Sequence, residues 1–266
     1  NEGPTASVTN HTSVVTGAIV GTTLSAINLT GAAFQFTDIA TTAIMTMDGT
    51  ALTGDGDTAS AGLTVAGDAL DGSTIKGSEF VDQFTLGGVG STYQGNGGAD
   101  LTIATAAQAA GSVSLDGGAG TDMLRITDLS ATVATLTIAD TLFKNVTTTE
   151  ALNFSGAVAG DFLWTVGGYA NAMATASGGT LEVTGAAFAT AVTGDIVTID
   201  ASGLGGTNAI HLTLTNSVGK GSANTGAGTF TGAAGNDTFA ITYDTDHANA
   251  QSVLTINGGA GNDTIS

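Results

Sequence analysis

The sequence has no cysteine, a single proline (Pro4) and four basic residues. Each scarcity closes off a class of protein. Without thiols there is neither a disulfide framework nor a thiolate metal site. Lys76, Arg125, Lys144 and Lys220 face 23 acidic residues, for a formal charge of -19 at pH 7. A chain so poor in Lys and Arg cannot neutralise a phosphate backbone, which excludes nucleic acid as a partner. Anionic membrane surfaces are disfavoured on the same ground. Aromatic residues make up 5% of the chain, few for a cleft that cleaves sugars. No apolar run reaches the length of a membrane span, so no membrane insertion is expected. The opening Asn1-Glu2-Gly3-Pro4 shows no basic-then-apolar signal peptide. The missing initiator methionine and the stop at Ser266 within a repeat read as a fragment of something longer.

What is abundant is glycine, 41 of 266 residues, together with threonine and small aliphatic residues. Glycine favours turns, while Thr and Val favour strands, so the composition predicts many short strands joined by tight turns. The glycines lack the three-residue period of collagen. With hydrophobic residues at 42%, a sizeable core is affordable. Carboxylates that cluster repel one another until a cation neutralises them, so the natural counterpart of this chain is a cation.

The pattern along the chain agrees. Residues 1–60 read as a β-rich N-terminal segment with Thr-rich alternation around 13–16, 18–20, 24–27 and 43–47. Between 50 and 126, short apolar clusters recur about every nine or ten residues with Gly and Asp between them, as in a stacked solenoid. Further alternating segments fall at 135–138, 151–154, 181–184, 196–199 and 211–214. The Ala-rich stretches 104–110 and 168–176 fit a short helix or a loop equally well.

Four segments share one spacing: Gly, a second Gly three residues on, and Asp two residues after that. They are Gly95-Asn96-Gly97-Gly98-Ala99-Asp100, Gly117-Gly118-Ala119-Gly120-Thr121-Asp122, Gly232-Ala233-Ala234-Gly235-Asn236-Asp237 and Gly258-Gly259-Ala260-Gly261-Asn262-Asp263. A weaker fifth copy, Gly77-Ser78-Glu79-Phe80-Val81-Asp82, carries Phe80 in place of the second Gly. Glycine permits positive φ, which lets a turn curl its carbonyl oxygens inward. The Asp adds charge at the end of the turn. Calcium takes about six to eight oxygen ligands from carboxylates and carbonyls alike, more than one turn supplies, so two turns would share an ion.

The pattern resembles the RTX nonapeptide, which builds a parallel β-roll around calcium. The resemblance implies calcium ligation by Asp82, Asp100, Asp122, Asp237 and Asp263, with Gly95, Gly97, Gly117, Gly118, Gly120, Gly232, Gly235, Gly258 and Gly261 shaping the turns. Asp82 and Asp100 lie 18 residues apart, the length of two nonapeptides. Asp100 to Asp122 is 22 residues and Asp237 to Asp263 is 26. Those pairs stack only if a strand or the opposite turn is extended. Gly87-Gly88-Val89-Gly90-Ser91-Thr92 reads as a repeat that has lost its Asp. The segment Glu150-Ala151-Leu152-Asn153-Phe154 is similar to a unit that follows such turns in RTX-type bacterial surface-layer proteins, although Thr149 stands where an apolar residue usually falls.

The competing reading of each Asp is a surface turn residue that caps its own backbone. Asn236 and Asn262 are read as turn stabilisers and Glu79 as a solvated side chain. The acidic turn Gly54-Asp55-Gly56-Asp57-Thr58 lacks the Glu of an EF-hand at its twelfth position. Asp244-Thr245-Asp246-His247 reads as an exposed loop. His11, His211 and His247 have no zinc spacing, and no Gly-x-Ser-x-Gly elbow exists.

The expected fold is all-β, a right-handed parallel β-solenoid over residues 61–266 with irregular calcium turns. The expected function is a non-enzymatic, secreted, calcium-binding protein that self-associates into a lattice or filament at a bacterial cell surface, with a surface polysaccharide as a further partner. The alternatives are a calcium-dependent adhesin, or the calcium module of a secreted hydrolase or epimerase.

Overall fold

The structure, a computed structural model, describes residues 12–15, 26–36, 46–54, 61–65, 72–129, 135–155, 161–186, 196–218, 227–243 and 253–266. The expected strand at 18–20, the acidic turn at 55–58, the loop at 244–247 and His11 lie outside the described residues. The chain divides into two compact units, Asn1–Ile103 with Gly111–Asp122, and Ala104–Ala110 with Met123–Ser266.

The first unit holds β1 (Thr12–Val15), β2 (Ala26–Gly31), β3 (Ala33–Phe36), β4 (Thr46–Leu52), β5 (Ala61–Val65), β6 (Thr74–Lys76), β7 (Val81–Thr85), β8 (Thr92–Gln94), β9 (Leu101–Ala104) and β10 (Ser114–Asp116). Odd strands form one sheet, β1-β3-β5-β7-β9, and even strands another, β2-β4-β6-β8-β10. Each strand pairs in parallel with the strand two places on. A parallel pair needs a crossover, and here the crossover of each sheet is a strand of the other. Side chains alternate faces along a strand, so every rung sends one set inward. Met47, Leu63, Val65, Ile75, Phe84 and Leu115 are almost fully buried.

The second unit repeats the plan. Its strands are β11 (Met123–Ile126), β12 (Thr135–Ile138), β13 (Val146–Thr147), β14 (Ala151–Phe154), β15 (Asp161–Thr165), β16 (Thr180–Ala186), β17 (Ile196–Asp200), β18 (Ala209–Val218), β19 (Ala227–Thr231), β20 (Thr238–Tyr243), β21 (Val253–Asn257) and β22 (Thr264–Ile265). The sheets run β11-β14-β16-β18-β20-β22 and β12-β15-β17-β19-β21, again parallel. An aromatic cluster fills the interior. Trp164 meets Phe154 edge-on with ring centroids 5.2 Å apart, and Phe143 and Phe162 pack beside them. The chain is thus mostly β with parallel pairing.

Both Ala-rich stretches contain helices, α1 (Ala106–Gly111) and α2 (Gly168–Ala176). The Asp140 carboxylate accepts the amides of Gly167, Tyr169 and Ala170 at 2.9–3.1 Å. It thereby satisfies donors that the first turn of α2 leaves free. No helix among the described residues is long and apolar enough to cross a membrane.

Candidate metal centre

In the first unit, Asp82, Asp100 and Asp122 occupy one register position at the start of the odd-strand rungs. Gln83 of β7 faces Leu101 of β9, which sets Asp82 beside Asp100. The Asp100 Oδ1 accepts the Asp82 amide at 2.8 Å, and the Asp122 Oδ1 accepts the Asp100 amide at 2.8 Å. The Asp82 Oδ1 in turn accepts the Leu63 amide. The result is a file of carboxylates, each bonded to the backbone of the rung before it. The second unit has a matching pair. The Asp237 Oδ1 accepts the Ile210 amide at 2.7 Å, and the Asp263 Oδ1 accepts the Asp237 amide at 3.0 Å.

The uneven spacings do not break these files. The longer interval between Asp100 and Asp122 includes α1. That between Asp237 and Asp263 includes residues 244–252, which are outside the described set. Asp82, whose motif is the most degraded, sits in the same register as the others. Its 18-residue distance from Asp100 is the signal that survives the loss of the second Gly.

The carboxylates are buried, unlike surface turn residues. Asp82, Asp100, Asp122 and Asp237 are each at most 3% exposed. Local capping is nonetheless part of their role. The Asp82 Oδ2 accepts the Ser78 amide at 2.6 Å, and the Asp237 Oδ2 accepts the Ala233 amide at 2.7 Å. The Asp100 Oδ2 has no hydrogen-bond partner at all. Burial pushes the Asp82 carboxyl up to about 6 against the pull of its amide donors. Burial likewise raises Asp100 to about 8, with the Asp82 and Asp122 charges adding to the rise and the Asp82 amide opposing it. Asp237 is raised by burial as well. At Asp237 the His211 side chain opposes the rise. Among the described ion pairs, Lys76 turns to Asp48 at 3.6 Å and His211 to Glu182 at 2.8 Å.

The glycines divide into two roles, where the sequence suggested one. Gly98, Gly118, Gly120, Gly259 and Gly261 have φ between 89° and 146° and serve the curl of the turn, as does Asn96 at 72°. Gly95, Gly97, Gly117, Gly232, Gly235 and Gly258 are not left-handed. The first glycine of a motif is required for room. A Cβ on Gly95 would run into the Asp100 Oδ2 and the Gly117 carbonyl oxygen. One on Gly232 would meet the Asp237 Oδ2 and the Gly258 carbonyl oxygen, and one on Gly77 the Asp82 Oδ2 and the Gly95 carbonyl oxygen. At each of these positions a carboxylate oxygen and a carbonyl oxygen of the next turn converge on a bare Cα. A Cβ on Gly235 would stand 2.5 Å from the Thr207 carbonyl oxygen, so that glycine also admits a neighbouring backbone.

That convergence fits a hard cation with oxygen ligands. The donors are one carboxylate per turn plus backbone carbonyls. No group of three or more His, Cys, Asp or Glu side chains that could hold a metal ion gathers among the described residues.

Other expectations sort as follows. The Asn236 Oδ1 accepts the Asn262 amide at 2.9 Å, a turn-stabilising bond. Glu79 is exposed, with its carboxylate lying over Gly97. In the Glu150-to-Phe154 segment, Leu152 and Phe154 are buried. Asn153 bridges Arg125 and Thr184 on the outer face. The turn at 87–92 does not belong to the Asp file. It leads into β8 of the other sheet, where the turns carry buried serines, Ser73, Ser91 and Ser112. The two turn columns thus differ in their buried polar residues, aspartate in one and serine in the other. A second feature hidden from the sequence is the buried hydroxyl of Tyr93.

No protein-family model, curated protein or solved structure matches the chain.

Proposed function

We propose that this chain is a right-handed parallel β-solenoid of the RTX kind, a secreted structural protein in which calcium bridges successive Asp turns. The observation that carries the reading is the Asp100 carboxylate. It is buried, flanked by two more carboxylates, and its Oδ2 lacks a donor. An uncompensated buried charge is costly. A divalent cation on the carboxylate and carbonyl oxygens would remove the penalty.

Calcium would then be part of folding, since the assembled turns exist only in the folded state. Sites of the extracellular kind hold calcium with dissociation constants on the order of 0.1–1 mM. That range saturates outside the cell and not in the cytosol, which supports the reading of an exported, cell-surface protein. Two faces of short parallel strands, stacked rung on rung, suit a self-associating lattice or filament, in which calcium would offset the repulsion between copies of net charge -19. Imaging the purified chain with calcium and with EGTA tests this. Ordered sheets or fibres that appear with calcium and dissolve in EGTA are expected. Monomers under both conditions would overturn the lattice.

A further inference from the structure

The tripeptide Asn-Gly-Gly occurs twice, at Asn96-Gly97-Gly98 and at Asn257-Gly258-Gly259. An asparagine before glycine is open to attack by the next backbone nitrogen, because glycine has no side chain to hinder the approach. The two copies share this local sequence, so the fold is what separates them. Asn96 is half-buried and stands in the left-handed region at φ 72°. Its Nδ2 donates to the Gly77 carbonyl oxygen at 2.9 Å, and its own carbonyl oxygen accepts the Ala119 amide at 2.9 Å. The Gly97 amide, which would have to attack, is buried and donates to the Ser78 carbonyl oxygen at 3.1 Å. Each group the reaction needs is committed elsewhere. Asn257 differs on every count. It is exposed, at the end of β21. Its Oδ1 accepts the Gly259 amide at 3.2 Å, a local turn that folds the side-chain amide back over the intervening Gly258 nitrogen. The Gly258 amide makes no hydrogen bond among the described residues.

We infer that Asn257 is a self-modification site, converted to aspartyl and isoaspartyl residues by attack of the Gly258 nitrogen, while the fold holds Asn96 unreactive. The Gly258 nitrogen attacks the Asn257 Cγ and gives up its proton. The N–Cγ bond forms, the Cγ–Nδ2 bond breaks, and Nδ2 leaves as ammonia with that proton. The Gly259 amide on Oδ1 stabilises the negative charge that gathers there while Cγ is tetrahedral. One water, the sole co-reactant, then opens the cyclic imide. Opening at Cγ leaves an aspartate. Opening at the main-chain carbonyl leaves an isoaspartate, with the backbone running through the former side chain. The place gives the change its consequence. The Asn257 carbonyl oxygen accepts the Gly232 amide at 2.7 Å, and the Gly258 carbonyl oxygen lies over Gly232 beside the Asp237 carboxylate. Either product adds a negative charge beside this turn, and the isoaspartate also lengthens the backbone that positions it. The site is a slow, one-way modification of the Asp237–Asp263 turn pair.

The inference does not depend on the calcium reading, and its test uses the intact chain. The protein, shown to be folded by circular dichroism, is held at neutral pH and sampled over time. Peptide mapping with mass spectrometry follows Asn96 and Asn257, and a parallel sample is held unfolded in guanidinium chloride. In the folded chain Asn257 is expected to convert at least about tenfold faster than Asn96, since Asn96 reacts only after its turn opens. Both aspartyl and isoaspartyl products should be found at 257. In guanidinium the two positions should convert at similar rates, because only their shared local sequence then acts. Asn257→Gln, which would need a larger ring, should abolish conversion at 257 and leave Asn96 as it was. A folded chain in which Asn96 converts as fast as Asn257, or in which Asn257 stays intact while the unfolded sample reacts, would overturn the inference.

Discussion

In EGTA, the chain is expected to lose stability as the pH rises from about 4 to about 8, and calcium is expected to abolish that loss. The cause is the buried file. Asp82 and Asp100 hold their protons up to about 6 and about 8 in the folded chain, whereas an unfolded Asp releases its proton near about 3.9. Between these limits the folded state binds more protons than the unfolded state, so stability falls with rising pH. The contribution is fully present below about pH 4 and is lost on passing through the folded values. Each pKa unit corresponds to about 1.4 kcal/mol, so the effect is on the order of a few kcal/mol. Asp48 works in the opposite sense. The Thr50 hydroxyl, bonded to it at 2.5 Å, holds its carboxyl below the usual range, so its small contribution fades only in stronger acid. Calcium binds the ionised carboxylates and releases their protons, so its stabilisation grows with pH. Melting curves at pH 5 and pH 8, with EGTA and with millimolar calcium, check both signs.

The second large effect separates the two roles of the same carboxylate. Asp100→Asn keeps an oxygen to accept the Asp82 amide and removes the charge. In EGTA at pH 8 it is expected to be more stable than the unaltered chain by on the order of a few kcal/mol. Asp100→Ala leaves the Asp82 amide buried without an acceptor, at about 1–3 kcal/mol. It should melt below Asp100→Asn under every condition. Both variants should lose the calcium-dependent rise in melting temperature that belongs to the first unit. If Asp100→Asn keeps that rise in full, the carboxylate is a backbone cap and nothing more.

The candidate site was legible in the sequence because its spacing is a backbone requirement. A Gly, a second Gly three residues on and an Asp two residues after that mark where a turn curls and where the next strand begins. All five aspartates chosen on that ground lie in the Asp files of their units. Strand positions such as 135–138, 151–154 and 196–199 followed from alternation and appear as β12, β14 and β17. What was not legible is non-local. Gly77, Gly95 and Gly232, each the first glycine of its motif, make room for a carbonyl from a turn some twenty residues away. The start of α2 is held by Asp140, 27–30 residues earlier in the chain. The two turn columns differ, aspartate in one and serine in the other, and a linear repeat cannot announce which column a turn will join. Nor does a lone tyrosine in an apolar stretch reveal that its hydroxyl is buried without a hydrogen-bond partner.

The most direct test of the central claim is calorimetric titration of calcium into the intact chain, with circular dichroism confirming that it is folded at the start and end. The expected result is saturable uptake in the range of about 0.1–1 mM, accompanied by proton release and diminished by Asp100→Asn. A folded chain that takes up no calcium at millimolar concentration would contradict the account.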